Sequence, residues 1–275
     1  MLASFLLSLR EGIEAALIIG IVLGALRQMR RTELLSAVWY GALAAVLVSL
    51  VSGIGLTALG LSLEGAAEQI FEGVAMLLAA GVLTWMIFWM SRQARHIKGE
   101  LESGVHKAAF EGGKRGLFAL AFLAVVREGI ELALFLTAAT FASGARSTIV
   151  GALLGLGSAV LLGWGLFAST ARLNLRRFFQ VTGVLLILFS AGLVAHGVHE
   201  FNEAGVIPAV IEHVWDANPI MDENGALGSA LKALFGYNGN PSLTEVLAYF
   251  AYFVSIFYGL RSSGRQAEAA TQPQM

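Results

Sequence analysis

The sequence predicts an all-α polytopic membrane protein with seven transmembrane helices, and three observations carry that prediction. The chain is 57% hydrophobic and only 13% charged, about half the ~25% charged share of a soluble domain, and its mean hydropathy is +0.73. Its apolar residues gather into seven runs, each near the roughly 20 residues a spanning helix needs. One pentapeptide, Arg-Glu-Gly-Ile-Glu, occurs twice, at residues 10–14 and 127–131, which suggests an internal duplication.

The seven runs cover residues 2–26, 34–59, 66–90, 117–142, 148–168, 178–198 and 243–260. The first is interrupted by Arg10, Glu11 and Glu14 and has no basic segment before it, so it is expected to be a mature span and not a signal peptide. Gly20/Gly24 and Gly151/Gly155 form Gly-x-x-x-Gly pairs that suit close helix contact in lipid. Residues 201–242 form the longest connection, with short amphipathic helices expected around Val210 and Leu231. Residues 263–275 are small and polar and are expected to be a disordered tail.

Lysine and arginine placement sets the orientation. Of the 18 such residues, alternating spans leave only Arg146 and Lys232 on one side. Arg10 and Arg127 lie inside the membrane, and all the others share the opposite, cytoplasmic side. The N-terminus is therefore expected outside and the C-terminus inside. Trp39, Tyr40, Trp85 and Trp89 fall near the inner ends of spans two and three, where aromatic belts occur.

With that topology the two pentapeptides enter from opposite faces. Each begins roughly ten residues into its run, about 15 Å deep at ~1.5 Å per residue, which is half of a ~30 Å hydrocarbon core. Spans one to three and four to six would thus form an inverted repeat, with span seven outside it. One membrane domain is expected over residues 1–262. It comprises repeat A at about 1–91, repeat B at about 116–200, the outer loop at 201–242 and the last span at 243–261.

Charges in hydrocarbon cost roughly 2.5–3.5 kcal/mol each on insertion scales, so six of them in two identical copies call for a function. Glu11 and Glu14 share a helical face, as do Glu128 and Glu131, and Arg10 and Arg127 can pair with acids four residues on. A structural ion pair needs one acid per arginine, and each arginine here has two. Four carboxylates brought together would bind a cation or take up protons. With no cysteine in the chain, disulfides, thiolate sites and iron–sulfur clusters are excluded, and hard oxygen ligands suit Fe(III), Mg, Ca or Mn. A net charge of −1 offers no footprint for nucleic acid.

Other polar residues sit in apolar surroundings. Glu64, Glu68 and Glu72 recur every four residues and read as an acidic funnel at the outer end of span three, although acids also favour helix N-termini. His196, His199, Glu200 and Glu203 share a face at the outer end of span six and form a candidate transient metal site. Met76, Met86 and Met90 read as packing or lipid-facing residues.

The paired pentapeptide in a seven-span chain resembles the oxidase-dependent iron transporter family, the high-affinity iron permeases of fungi and the bacterial EfeU-type branch. Further stretches carry the resemblance: Phe71-Glu72-Gly73, the segment at 83–90, Arg172-Leu173-Asn174-Leu175, Glu203-Ala204-Gly205 and Leu234-Phe235-Gly236-Tyr237. The resemblance implies an iron permease of the bacterial cytoplasmic membrane that takes up Fe(III) after oxidation of Fe(II) outside. It implies Glu11, Glu14, Glu128 and Glu131 as iron ligands, with Glu72 and Glu203 in matching stretches. It also implies an extracytoplasmic cupredoxin-like protein and a haem peroxidase as partners. Iron is then cargo, with no permanently bound cofactor. The residues alone leave two other readings open: a proton-coupled transporter of another cation such as manganese or lead, and a membrane-embedded metalloenzyme.

Overall fold

A computed structural model describes residues 1–93, 97–168, 175–223 and 225–269. In chain order the helices are α1 (Leu2–Gln28), α2 (Leu35–Leu61), α3 (Ala66–Gln93), α4 (Ile97–Lys107), α5 (Gly113–Ser143), α6 (Ala145–Ala168), α7 (Leu175–Glu203), α8 (Ala226–Phe235) and α9 (Leu243–Ala269). Each apolar run lies inside one long helix, and no strand is present among the described residues. Five stretches are long and apolar enough to cross a membrane: Thr32–Leu61, Ala66–Trp89, Ala145–Gly165, Phe178–Glu203 and Leu243–Arg261. Helices α1 and α5, with 27 and 31 residues, have the length. Each carries a pentapeptide with three charged residues near its midpoint, more charge than the five apolar stretches hold.

Packing is dominated by three helix pairs, α1 on α6, α2 on α5 and α3 on α7, while α1 and α5 also meet directly. Small residues make this possible. A methyl group added at Gly12 would come within 2.6 Å of Ala159 Cβ, and one at Gly163 within 3.0 Å of Ala16 Cβ. The same two-rung contact joins the other pair, where Gly129 lies against Ser49 and Gly53 lies against Ala133. In both cases the rungs are four residues apart and one falls inside the pentapeptide. Gly151 and Gly155 lie on the backbone of α1, as their spacing predicts, but Gly24 faces open space.

Two apolar cores flank the middle. One gathers Leu7 of α1, Met76, Leu83 and Met86 of α3, Phe135 of α5 and Leu186 and Leu193 of α7. The other joins Val22 and Leu26 of α1, Val38 of α2 and Leu117 of α5 to Val105 and Ala109 from the connection after α3. That connection was expected only as a basic loop. Leu101, Val105 and Ala109 recur every fourth residue, so α4 and the π-helical turn at Ala108–Gly112 bury one stripe under α1. Met76 and Met86 are fully buried and not lipid-facing.

Three sequence expectations need correction. Around Val210 the backbone is irregular, with a positive φ of 62°. Pro208 lacks an N–H and disfavours helix for the residue before it. The segment is held instead by backbone bonds from Val214 to Pro241 and from Ala217 to Gly239. Glu64 precedes α3 and so does not belong to a helical stripe with Glu68 and Glu72. The last helix continues through Ala269, into the stretch expected to be disordered, because extending a formed helix costs little. Residues 172–174, one of the stretches noted above, lie outside the described residues.

Replacing Gly155 with leucine should force α1 off α6 and lower stability by about 1–3 kcal/mol or more. Gly24→Leu should leave it unchanged. Thermal unfolding of the two purified variants in detergent, followed by tryptophan emission, measures the difference.

Candidate metal site

Helices α1 and α5 bring the two pentapeptides together. One carboxylate oxygen from each of Glu11, Glu128 and Glu131 lies within 4.8 Å of the others. That span is comparable with the roughly 4–5 Å between oxygens on opposite sides of one hard cation. Glu11 and Glu128 are buried. Carboxylates gathered this closely repel one another unless a proton or a cation lies among them. Glu11 Oε2 and Glu131 Oε2 are buried with no hydrogen-bond partner among the described residues, which leaves lone pairs free to coordinate.

Glu14 stands apart from this trio. Its Oε1 is 3.0 Å from Arg10 Nη2, an ion pair whose angle does not make a hydrogen bond, since the same oxygen has no hydrogen-bond partner. Arg10, only 2% exposed, also places Nη1 3.1 Å from Glu11 Oε1. The same nitrogen donates to Met86 Sδ at 2.9 Å. Arg127 is arranged differently. Its Nε donates to Glu131 Oε1 at 3.1 Å, its side chain is 40% exposed, and its guanidinium lies over Trp89 and Trp85.

A second polar group lies where α3 begins and α7 ends. Glu72 of α3 is within electrostatic reach of Glu68, Glu200 and Glu203. It is about 20 Å along the helix from Met86 at ~1.5 Å per residue, well separated from the central trio. His199 is held through both ring nitrogens, 3.2 Å from Glu203 Oε1 and 3.0 Å from Glu245 Oε1. Gln69 donates to Glu203 Oε2 at 3.0 Å. His196 is buried, with Nδ1 3.0 Å from the Gly192 carbonyl of its own helix. The histidines therefore brace the helix ends, and the acids beside them carry the local negative charge.

Glu245 was missed in the sequence. It is 3% exposed and opens α9, taking the Ser242 N–H on Oε1 while its own N–H bonds Ser242 Oγ. This is a capping box, and Ser242-Leu243-Thr244-Glu245 carries the required Ser-x-x-Glu spacing. Asn238 donates to Glu245 Oε2 at 2.8 Å, so this carboxylate ties α9, α7 and the loop together.

The two acidic motifs thus meet where α1 and α5 touch, and each motif helix is packed on its own neighbour, α6 or α2, through small-residue rungs. A protein-family model described as "Iron permease FTR1 family" matches residues 1–263. The chain belongs to that family. It is similar to proteins named "Ferrous iron permease EfeU". The one from Escherichia coli O6:K15:H31 is 35% identical over 256 residues, 92% of this chain and 93% of the relative. That from Yersinia pestis is 32% identical over 278 residues, 99% of each. No solved structure matches the chain. As an FTR1-family permease the protein is a transporter, which sets aside the metalloenzyme reading.

Arg10→Ala should cost about 3–5 kcal/mol of stability, because it leaves Glu11 and Glu14 buried without their counter-charge. Arg127→Ala should cost clearly less, since that side chain is partly exposed. Denaturation midpoints of the two variants in detergent check the order.

Proposed function

We propose that this protein imports iron across the bacterial cytoplasmic membrane, passing it as Fe(III) through Glu11, Glu14, Glu128 and Glu131. The convergence of Glu11, Glu128 and Glu131 from two helices, each at its helix midpoint, carries the reading. The ligand set is oxygen only, which suits a hard cation. The relatives are named for ferrous iron. On this reading Fe(II) is the species supplied, and it is oxidised outside before entry, with a cupredoxin-like protein and a haem peroxidase as the partners of that step.

Seven spans fit best, with α1 and α5 crossing the membrane beside the five helices that carry no motif. The matched rungs Gly12/Ala159 with Gly163/Ala16, and Gly129/Ser49 with Gly53/Ala133, support an inverted repeat of α1–α3 and α5–α7, N-terminus outside and C-terminus inside. A cation would first be drawn to Glu68, Glu72, Glu200 and Glu203, whose mutual repulsion favours a positive ion among them. It would then move to the central carboxylates, which replace its water stepwise. Rocking of the two repeats would expose the central site to each side in turn. The membrane potential contributes about 2.3 kcal/mol per elementary charge per 100 mV, which grows with a trivalent cargo.

The decisive test is radio-iron uptake in cells that lack their own iron permeases. Glu14→Gln and Glu131→Gln should insert normally and reduce uptake to background. Full uptake by correctly inserted variants would sink the carboxylate relay. The topology has its own check: reporters fused after Arg31 and after Met90 should read as cytoplasmic, and one near Pro219 as external.

A further inference from the structure

The two pentapeptides are the same five residues, yet their arginines are held differently. Arg10 is enclosed and reaches both acids of its own motif, Glu11 next to it and Glu14 one turn on. Arg127 has the same neighbours in sequence, but among the described residues its ion pair is with Glu131 alone. Its guanidinium carbon lies 4.7 Å from the Trp89 ring centre and 5.8 Å from that of Trp85. The two rings stack on each other, 6.3 Å apart and 25° from parallel.

Helix α3 thus meets both arginines within one turn, Met86 touching Arg10 while Trp85 and Trp89 touch Arg127. The consequence falls on Glu128. Arg10 shows that an arginine in this motif can reach the acid beside it, so Arg127 could do the same to Glu128. On the tryptophans it does not, and Glu128 stays with Glu11 and Glu131 in the trio of convergent carboxylates. Cation–π attraction is worth about 0.5–2 kcal/mol, depending on desolvation, enough to hold a guanidinium in one of two nearby positions without locking it there.

We propose that Trp85 and Trp89 are positioning residues for transport: they seat Arg127 away from Glu128 so that the carboxylates are free for the cation, and return of Arg127 to Glu128 displaces the cation. The inference rests on the reading that these carboxylates carry iron. It gives the aromatic pair a role in apparent affinity and release, with no direct contact to the metal.

The test is the concentration dependence of iron uptake into proteoliposomes holding the full-length protein. Trp85→Leu/Trp89→Leu should raise KM for iron about tenfold while Vmax holds or rises, because Arg127 then competes with the cation. Trp89→Phe, which keeps a π-face, should stay within about twofold of the parent. Adding Arg127→Gln to the double-leucine protein should bring KM back down, because the competing charge is gone. If the double variant does not insert, Trp89→Leu alone carries the same comparison. An unchanged KM in the leucine variants, or a raised KM that Arg127→Gln does not lower, overturns the proposal. A flaw in the carboxylate reading would show separately, as normal uptake by Glu131→Gln.

Discussion

The structure depends on enclosing the Arg10–Glu11 pair at the centre of α1. At 2% and 1% exposure neither has water to solvate it, and a buried ion pair is tolerated only when the remaining donors and acceptors find partners. Glu14 and Met86 serve the guanidinium, and Glu128 and Glu131 gather beside Glu11. No single helix contains that set. α1 can be stable in this position only with α3 and α5 already against it, which is why a helix too polar to count as an apolar span sits among the most enclosed elements of the fold.

Lipid offers no hydrophobic drive between helices, so the enclosure must come from close packing. The rungs provide it, and their placement links packing to chemistry. Gly12 sits between Glu11 and Ile13, and Gly129 between Glu128 and Ile130. A slide of α6 over α1, or of α2 over α5, acts on the residue that joins the ligand acids. Each carboxylate pair is thereby bound to the helix pair that frames it, so relative movement of the two pairs would open or close the ring of oxygens without bending either motif helix.

Much of this was legible in the sequence because it rests on local pattern. Seven apolar runs became seven long helices, and the three-residue spacing of the acids placed them toward the partner motif. The rest depends on tertiary contact. The stripe Leu101, Val105 and Ala109 is visible, but only the space beneath α1 makes it a buried helix. Ser242-x-x-Glu245 announces a capped helix, yet nothing local says that the cap will also hold His199. Around Val210 the apolar pattern suggests a helix, but Pro208 rules one out. The different surroundings of Arg10 and Arg127 could not be read at all, since the motifs are identical and the difference comes from α3.

That difference matters for direction. Two identical motifs related by an axis in the membrane plane would present the same site to both faces, and such a site favours neither entry nor exit. Asymmetry has to come from residues that are not duplicated, and α3 supplies it. Met86 accepts from Arg10 in a closed pocket, while Trp85 and Trp89 offer Arg127 a weaker seat beside an opening. On the proposed inverted-repeat reading, one repeat has an enclosed counter-charge and the other a more exposed one. On that reading a cation bound between them would meet an enclosed positive charge on the α1 side and a more exposed one on the α5 side, and the position of Arg127 would decide how much negative charge remains to hold it.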